Sequence, residues 1–135
     1  MEPVLVAVSD DARARFASIL GERAVVFAGS VDEVRTVLQR GRVAAVIAGS
    51  HFGESSTLEL LQQLAARPDP CPVICVQAVP FHHGLGKSTF RAFRAACLEL
   101  GAKAVIDLLE YPDDEAGNAR VRAALEPYLL NAVSP

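Results

Sequence analysis

The chain has 135 residues and a mass of 14.4 kDa, which is enough for one domain with a substantial apolar core. Apolar residues make up 51% of it and charged residues 21%, a balance typical of globular and not of disordered proteins. The formal net charge of −3 argues against a nucleic-acid-binding protein, because such proteins are usually basic. No apolar run reaches the roughly 20 residues that a membrane helix needs, so we expect no membrane contact and a cytoplasmic location.

The number and spacing of the cysteines are consistent with a cytoplasmic location. Cys71, Cys75 and Cys97 are odd in number and lack the spacing of a disulfide framework or of a zinc site. We therefore expect reduced thiols, with Cys71 in a loop and the other two mostly buried.

Five short apolar runs alternate with helical patterns along the chain. We predict strands at residues 4–8, 24–28, 43–48, 73–76 and 104–106. The first run has no polar break, which is typical of a strand buried on both faces.

The first two helices have recognisable starts and ends. Asp10 or Asp11 is predicted to cap the first helix, which buries Phe16 and ends at Gly21. The second helix opens with a capping box at residues 30–33, where a serine is followed three positions later by a glutamate.

The other three helices are predicted from similar signals. A second capping box at residues 56–59 opens the third helix, and Ser88 caps the fourth. The last helix begins at about Glu115, and Pro127 should bend or interrupt it. The predicted apolar stripes of these helices contain Leu58, Leu61, Leu64, Phe90, Phe93, Cys97, Leu100, Val121, Leu125 and Leu129.

This alternation of strands and helices predicts an α/β fold with a parallel sheet covered by helices on both faces. Functional sites in such sheets form at the carboxyl ends of the strands. The segments predicted to lie there are residues 9–11, 49–55, 77–87 and 107–113.

Several segments also have the order and spacing of a known family, with Leu58 nine positions after Gly49. The segments concerned are residues 46–49, 58–61, 72–78, 100–102 and 105–106. In these features the chain resembles the receiver domains of response regulators in two-component signalling, over residues 4 to about 130. The resemblance implies a single receiver-like domain over residues 1–135, a three-layer (βα)5 flavodoxin-like fold and the strand order 2-1-3-4-5.

The phosphorylation chemistry of that family does not carry over to this chain. The family's phosphoacceptor aspartate matches Gly49, its hydroxyl residue matches Gln77, and its lysine matches Leu108. Without an acceptor carboxylate no acyl phosphate can form, and no cation remains to bind its charge. The resemblance therefore implies a degenerate pseudo-receiver.

The family's acidic pair is only partly present. It matches Ser9 and Asp10, with Asp11 next in line. Two carboxylates alone are a poor magnesium site, so we interpret them as favouring the positive end of the first helix. A displaced acceptor at Asp107 or Glu54 is the alternative, disfavoured because neither falls at the strand end that faces Asp10.

The loop after the fourth strand, at about residues 78–88, is lengthened by about nine residues relative to the family that the chain resembles. Three interpretations compete for it. The first is an anion-binding loop formed by Gly84, Gly86, Lys87 and Ser88 before a helix. Nucleotide hydrolysis is disfavoured, because Phe81 stands where a phosphate-binding loop needs its first glycine.

The second interpretation is a metal site built from histidines. His51, His82 and His83 lie in predicted loops at the same edge as Asp10 and Asp11. Adjacent histidines rarely bind one ion together, so we interpret these side chains as solvated and predict no metal.

The third interpretation is a partner surface, and it is the one that we favour. Its candidate residues are Phe81, Leu85, Lys87, Arg91 and Arg94. The resemblance implies partner contacts through the fourth helix, fifth strand and fifth helix.

We therefore expect a non-catalytic, phosphorylation-independent signalling module with a protein partner and with no cofactor or nucleic acid. We expect it to act as a single-domain regulator, either alone or as a homodimer. A small-anion or nucleotide-phosphate binding module that uses the loop at residues 84–89 is the alternative.

Overall fold

The computed structural model describes residues 2–49, 51–52, 55–67, 71–77 and 86–133; for residues 51–52, 55–56, 86–89 and 130–133 it describes the backbone only. The strands of the main sheet are β1 (Val4–Ala7), β2 (Val25–Ala28), β3 (Ala45–Gly49), β4 (Val73–Gln77) and β5 (Ala104–Asp107). The helices are α1 (Asp10–Leu20), α2 (Val31–Arg40), α3 (Thr57–Ala65), α4 (Gly86–Glu99) and α5 (Glu115–Val133). A two-residue antiparallel pairing of His51–Phe52 with Ser55–Ser56 follows β3, and a 3-10 turn (Leu108–Glu110) follows β5.

The five strands form one parallel sheet in the order β2-β1-β3-β4-β5, which confirms the predicted α/β fold and strand order. Because every strand runs the same way, all five carboxyl ends lie along one edge. Gly49 pairs with Val76 there, and Gln77 pairs with Asp107.

Each face of the sheet is covered by its own layer of helices. Val4 and Val6 of β1 belong to the cluster with the buried residues of α1 and α5, whereas Leu5 and Ala7 belong to the cluster with those of α2, α3 and α4. This alternation explains the unbroken apolar run of β1, since both of its faces are buried.

Both the first and the last residues of the strands differ from the predicted ones. Val43 and Ala44 are buried but precede β3, whereas Gly49, Gln77 and Asp107 extend their strands beyond the apolar runs. The apolar pattern follows burial, but a strand ends where its backbone ladder ends, and polar residues or glycine can continue a ladder.

Two helix-start predictions are wrong. The residue before α1 is Ser9, in an extended conformation and without a side-chain capping bond, while Asp10 and Asp11 lie exposed in the first turn. Helix α4 begins at Gly86, so Ser88 lies inside its first turn. The box at residues 30–33 is confirmed, because the Ser30 hydroxyl accepts a hydrogen bond from the Glu33 N–H over 3.1 Å.

Two predictions about helix interiors are wrong in part. Two residues of the predicted α3 stripe are buried, but Leu58 is 36% exposed and Leu60 is buried instead, because the buried stripe follows helical spacing from Thr57. Pro127 does not interrupt α5, which runs through it. Proline removes only one backbone N–H, and buried Val121, Leu125 and Leu129 hold the helix on both sides of that break.

The described cysteines are free thiols, as predicted. Cys75 on β4 and Cys97 on α4 are buried in the same apolar cluster, and Cys71 is partly buried. A hydrogen bond with Cys97, together with burial, raises the pKa of the Cys75 thiol far above its ordinary value.

Candidate functional site

The carboxyl edge of the sheet is the place where the fold permits a site, and Gly49 occupies its centre. Gly49 is buried at the end of β3, the middle strand. Its carbonyl oxygen accepts a hydrogen bond from the hydroxyl of Thr57, the first residue of α3. The end of the middle strand therefore presents a satisfied backbone group and no side chain that could act as a nucleophile.

Gln77 and Asp107, at the ends of the next two strands, form a pair. The Gln77 side-chain Nε2 donates to Oδ1 of Asp107 over 3.0 Å, and the same oxygen accepts from the Leu109 N–H at 3.0 Å. This carboxylate therefore caps the 3-10 turn, and an uncharged amide is its side-chain partner. Gln77 is 3% exposed, and its Oε1 atom has no hydrogen-bond partner.

Leu108 is part of the apolar core, which its position after β5 does not indicate. Its side chain is 1% exposed and belongs to the apolar cluster of α1 and α5. A lysine ammonium group at this position would therefore lie in the core unless the 3-10 turn rearranged.

Arg15 of α1 binds the turn that follows β5, a role that the sequence analysis missed. Its guanidinium donates to the carbonyl oxygens of Leu108 at 3.2 Å and Tyr111 at 2.7 Å, and to Oδ1 of Asn118 at 3.0 Å. It also donates to the carbonyl oxygen of Pro112 at 3.2 Å. The only signal in the sequence was an arginine beside the apolar stripe of α1, and its partners lie about ninety residues or more further along the chain.

The start of α5 packs closely against the same turn. A Cβ atom added to Gly117 would lie 1.9 Å from the carbonyl oxygen of Pro112, so this position requires glycine. The Asp114 carboxylate accepts a hydrogen bond from the Gly117 N–H at 2.7 Å and caps α5. We call Arg15, the turn and the start of α5 the α1–α5 clamp.

The acidic residues after β1 lie at the exposed start of α1. Asp10 makes an exposed ion pair with Arg13, 3.3 Å from Oδ1 to Nε, and the Arg13 guanidinium stacks 5.6 Å above the Phe27 ring. Asp11 is exposed. Within the described ranges, no three His, Cys, Asp or Glu side chains come close enough to hold a metal ion.

The sequence matches no family model and no curated protein sequence. Solved structures match it over nearly its whole length. The receiver domain of a signal transduction histidine kinase from Syntrophus aciditrophicus has a TM-score of 0.73 and 16% identity, covering 100% of this chain and 95% of that chain. The chain has the receiver fold.

Two further structures agree. The receiver domain of NtrX from Brucella abortus has a TM-score of 0.73 and 18% identity, covering 96% of this chain and 98% of that chain. The N-terminal receiver domain of RstA from Klebsiella pneumoniae, activated by beryllofluoride, has a TM-score of 0.71, 18% identity and the same two coverages. Because none of the three identities exceeds 18%, these likenesses show the fold alone.

Part of the predicted site lies in the connection between β4 and α4. Because α4 begins at Gly86, this connection comprises residues 78–85 and is shorter than the predicted 78–88. Predicted site residues outside the described ranges are Glu54, Phe81, His82, His83, Gly84 and Leu85.

The first turn of α4 contains Gly86, Lys87 and Ser88, of which the backbone alone is described, as it is for His51. The anion-binding loop and the histidine interpretation therefore remain predictions.

Helix α4 of the receiver fold presents a mixed basic and apolar surface. Arg91 and Arg94 are exposed, as predicted. Leu98 on the same helix is 40% exposed, and Leu109, in the turn after β5, is 49% exposed. Both are large apolar side chains exposed to solvent, and the sequence analysis did not single them out.

Proposed function

We propose that the chain is a pseudo-receiver, a signalling module with the receiver fold that works without phosphorylation through protein contacts on the α4–β5–α5 side. The observation that carries the proposal is Gly49, which stands at the end of the middle strand with its carbonyl bound to Thr57. A glycine offers no carboxylate for phosphoryl transfer, so any input must act without an acyl phosphate at this position.

The neighbouring positions support the same proposal. A phosphoryl group needs cationic or hydroxyl donors. The resemblance places a hydroxyl residue and a lysine at the positions that Gln77 and Leu108 occupy here. Gln77 is already bonded to Asp107, and Leu108 is part of the core. Arg15, which reaches the turn after β5, is engaged with backbone carbonyl oxygens.

The α4 side supports the choice of a protein partner. Exposed Arg91 and Arg94 stand on the helix that also exposes Leu98, and arginine beside apolar side chains is typical of interfaces. We propose a protein bound there, or a second copy of the chain, in the cytoplasm.

Chemical phosphorylation tests the first half of this proposal. The protein is exposed to acetyl phosphate, and separately to beryllofluoride, each with Mg²⁺, beside a receiver domain that retains its aspartate. We expect no gain of mass and no change in the amide NMR spectrum, because Gly49 has no carboxylate.

The Asp107→Asn variant is the control for a displaced acceptor. A gain of one phosphoryl mass by the wild-type protein, lost in this variant, would show that Asp107 accepts the phosphoryl group and would overturn the pseudo-receiver proposal. A gain of mass retained in the variant would overturn it through another acceptor.

Charge reversal on α4 tests the second half. We expect Arg91→Glu with Arg94→Glu to abolish capture of the partner identified by pull-down with the wild-type protein, because the complementary acidic groups are then repelled. The melting temperature should change little, since surface substitutions rarely exceed about 0.5 kcal/mol. Arg40→Glu, at the exposed end of α2, is the matched control and should retain the partner. Full capture by the double variant would place the interface elsewhere.

A further inference from the structure

A cleft of about 290 Å³ lies between α2 and α3, on the face of the sheet opposite α1 and α5. Its floor is apolar and well buried: Val34 of α2 is 1% exposed, and Leu60 and Leu64 of α3 are 1% and 7% exposed. The two helices place apolar side chains beneath the gap without filling it. The cleft is distinct from the carboxyl edge and from the α4 surface.

The rim of the cleft is basic and amide-bearing. Arg35 and Gln63 face each other across it, with Nη2 of the arginine donating to Oε1 of the glutamine at 2.7 Å. Arg35 is also paired with exposed Asp32, 3.2 Å from Nη1 to Oδ1, so part of its charge is neutralised. Arg67 completes the rim, and within the described part of the chain no carboxylate pairs with it.

The described lining of the cleft is positively charged, whereas the molecule as a whole is negatively charged. Among the described residues that line the cleft are two with guanidinium groups and none with a carboxylate, although the whole chain carries a formal charge of −3. A guanidinium group offers paired N–H donors whose spacing matches a carboxylate, and an adjacent apolar floor favours an apolar body. The cleft therefore combines groups that bind an anion with groups that contact an apolar chain.

We propose that the α2–α3 cleft binds a small amphipathic carboxylate, with its apolar body against Val34 and Leu64 and its carboxylate at Arg67. The volume of about 290 Å³ lies just below the range of about 300–1,000 Å³ found for ligand sites, which fits a small molecule better than a helix of a partner. This inference is independent of the proposed function, because it uses no residue of the carboxyl edge or of α4.

Three simple probes test the ligand class. Octanoate supplies a chain and a carboxylate, octylammonium supplies the same chain with the opposite charge, and acetate supplies the carboxylate alone. We expect saturable binding of octanoate by calorimetry, with amide NMR shifts concentrated in α2 and α3. Octylammonium and acetate should bind at least about tenfold more weakly, because each lacks one half of the recognition.

Variants of the rim identify the site. Arg35→Gln with Arg67→Gln should weaken octanoate binding about tenfold or more, since charged hydrogen bonds are lost while the floor is unchanged. Arg40→Gln with Lys103→Gln removes the same charge from exposed positions outside the cleft and should leave the affinity within about twofold. Equal effects of the two double variants would show that net charge, and not the rim, attracts the ligand.

Other results would also overturn the proposal. These are the absence of saturable octanoate binding, equal binding of octanoate and octylammonium, and shifts that lie outside α2 and α3. The cleft would instead belong to a second copy of the chain if sedimentation showed a concentration-dependent dimer that Leu38→Glu, a change in the cleft lining, converts to monomer.

Discussion

Three residues at the carboxyl edge, Gly49, Gln77 and Leu108, are each occupied by the fold in a different way. Gly49 has no side chain, and its carbonyl is used by Thr57. Gln77 is buried and uses its amide to hold Asp107. Leu108 faces the core. A substitution at any one of these positions would therefore also disturb a contact of the fold.

The Leu108 position provides a direct test at this scale. Leu108→Lys should lower the free energy of unfolding by about 3 kcal/mol or more, because a charge would be buried without a partner and apolar contacts would be lost. Leu109→Lys is the matched control and should stay within about 0.5 kcal/mol, since Leu109 is 49% exposed. Urea denaturation of both variants measures the difference. Equal stability of the two would show that the turn rearranges to expose position 108.

At the scale of elements, arginines join α1 to α5. Arg15 binds the turn before α5, and Arg122 of α5 donates to the carbonyl oxygens of Ser18 and Ile19 near the end of α1. Arg23, just after α1, makes two hydrogen bonds of 3.0 and 2.8 Å to the Glu126 carboxylate. Polar contacts thus fix the rim of this layer, while its centre is apolar.

We predict that Arg15→Met destabilises the protein by about 2 kcal/mol. The change keeps an apolar stem but leaves the carbonyl oxygens of Leu108 and Tyr111 and the Asn118 side chain without their charged donor. Urea denaturation gives the total loss, and hydrogen exchange should show faster exchange at residues 108–113 than elsewhere.

Arg40→Met, at the exposed end of α2, serves as the control and should change stability by less than about 0.5 kcal/mol. A loss of stability in Arg15→Met with unchanged exchange in that turn would mean that the clamp does not order the turn.

For the whole molecule, the two helix layers bury different chemistry. The α1–α5 side packs on one face of the sheet, and the layer of α2, α3 and α4 buries Cys75 and Cys97 on the other. Among the described residues, no helix has both the length and the apolar character of a membrane span. Because Cys75 and Cys97 are buried beneath the layer of α2, α3 and α4, the rate at which they react measures how often that layer opens.

Thiol labelling tests this arrangement. In the native protein we expect one thiol, Cys71, to react readily with an aromatic disulfide reagent, because Cys75 and Cys97 are both fully buried. The raised pKa of Cys75 further lowers its reactivity. All three should react in denaturant. Cys71→Ser is the control and should remove the fast phase.

The slow phase should have the rate of global unfolding, measured in parallel by circular dichroism. Rapid reaction at Cys97 in native conditions would instead mean that α4 detaches from the sheet while the rest of the molecule stays folded.

The order of strands and helices was predictable because its signals are local. The apolar runs, the box at residues 30–33 and the stripe of Val121, Leu125 and Leu129 each depend on neighbours within a few positions. The absence of a carboxylate at Gly49 was predictable too, because glycine has no side chain in any fold. The start of α4 and one residue of the α3 stripe, Leu58, were predicted wrongly, because neighbouring residues there are compatible with either assignment.

The sequence by itself determined the element order, the parallel sheet and the lack of a carboxylate at the end of the middle strand. Only the tertiary structure decided that Arg15 would bind the turn after β5, that Leu108 would face the core and that α2 and α3 would leave a cleft between them. The physical reason is distance along the chain: Arg15 and Asn118 are 103 positions apart. Periodicity and capping signals act over a few residues, whereas contacts of this kind exist only after the sheet has brought its helices together.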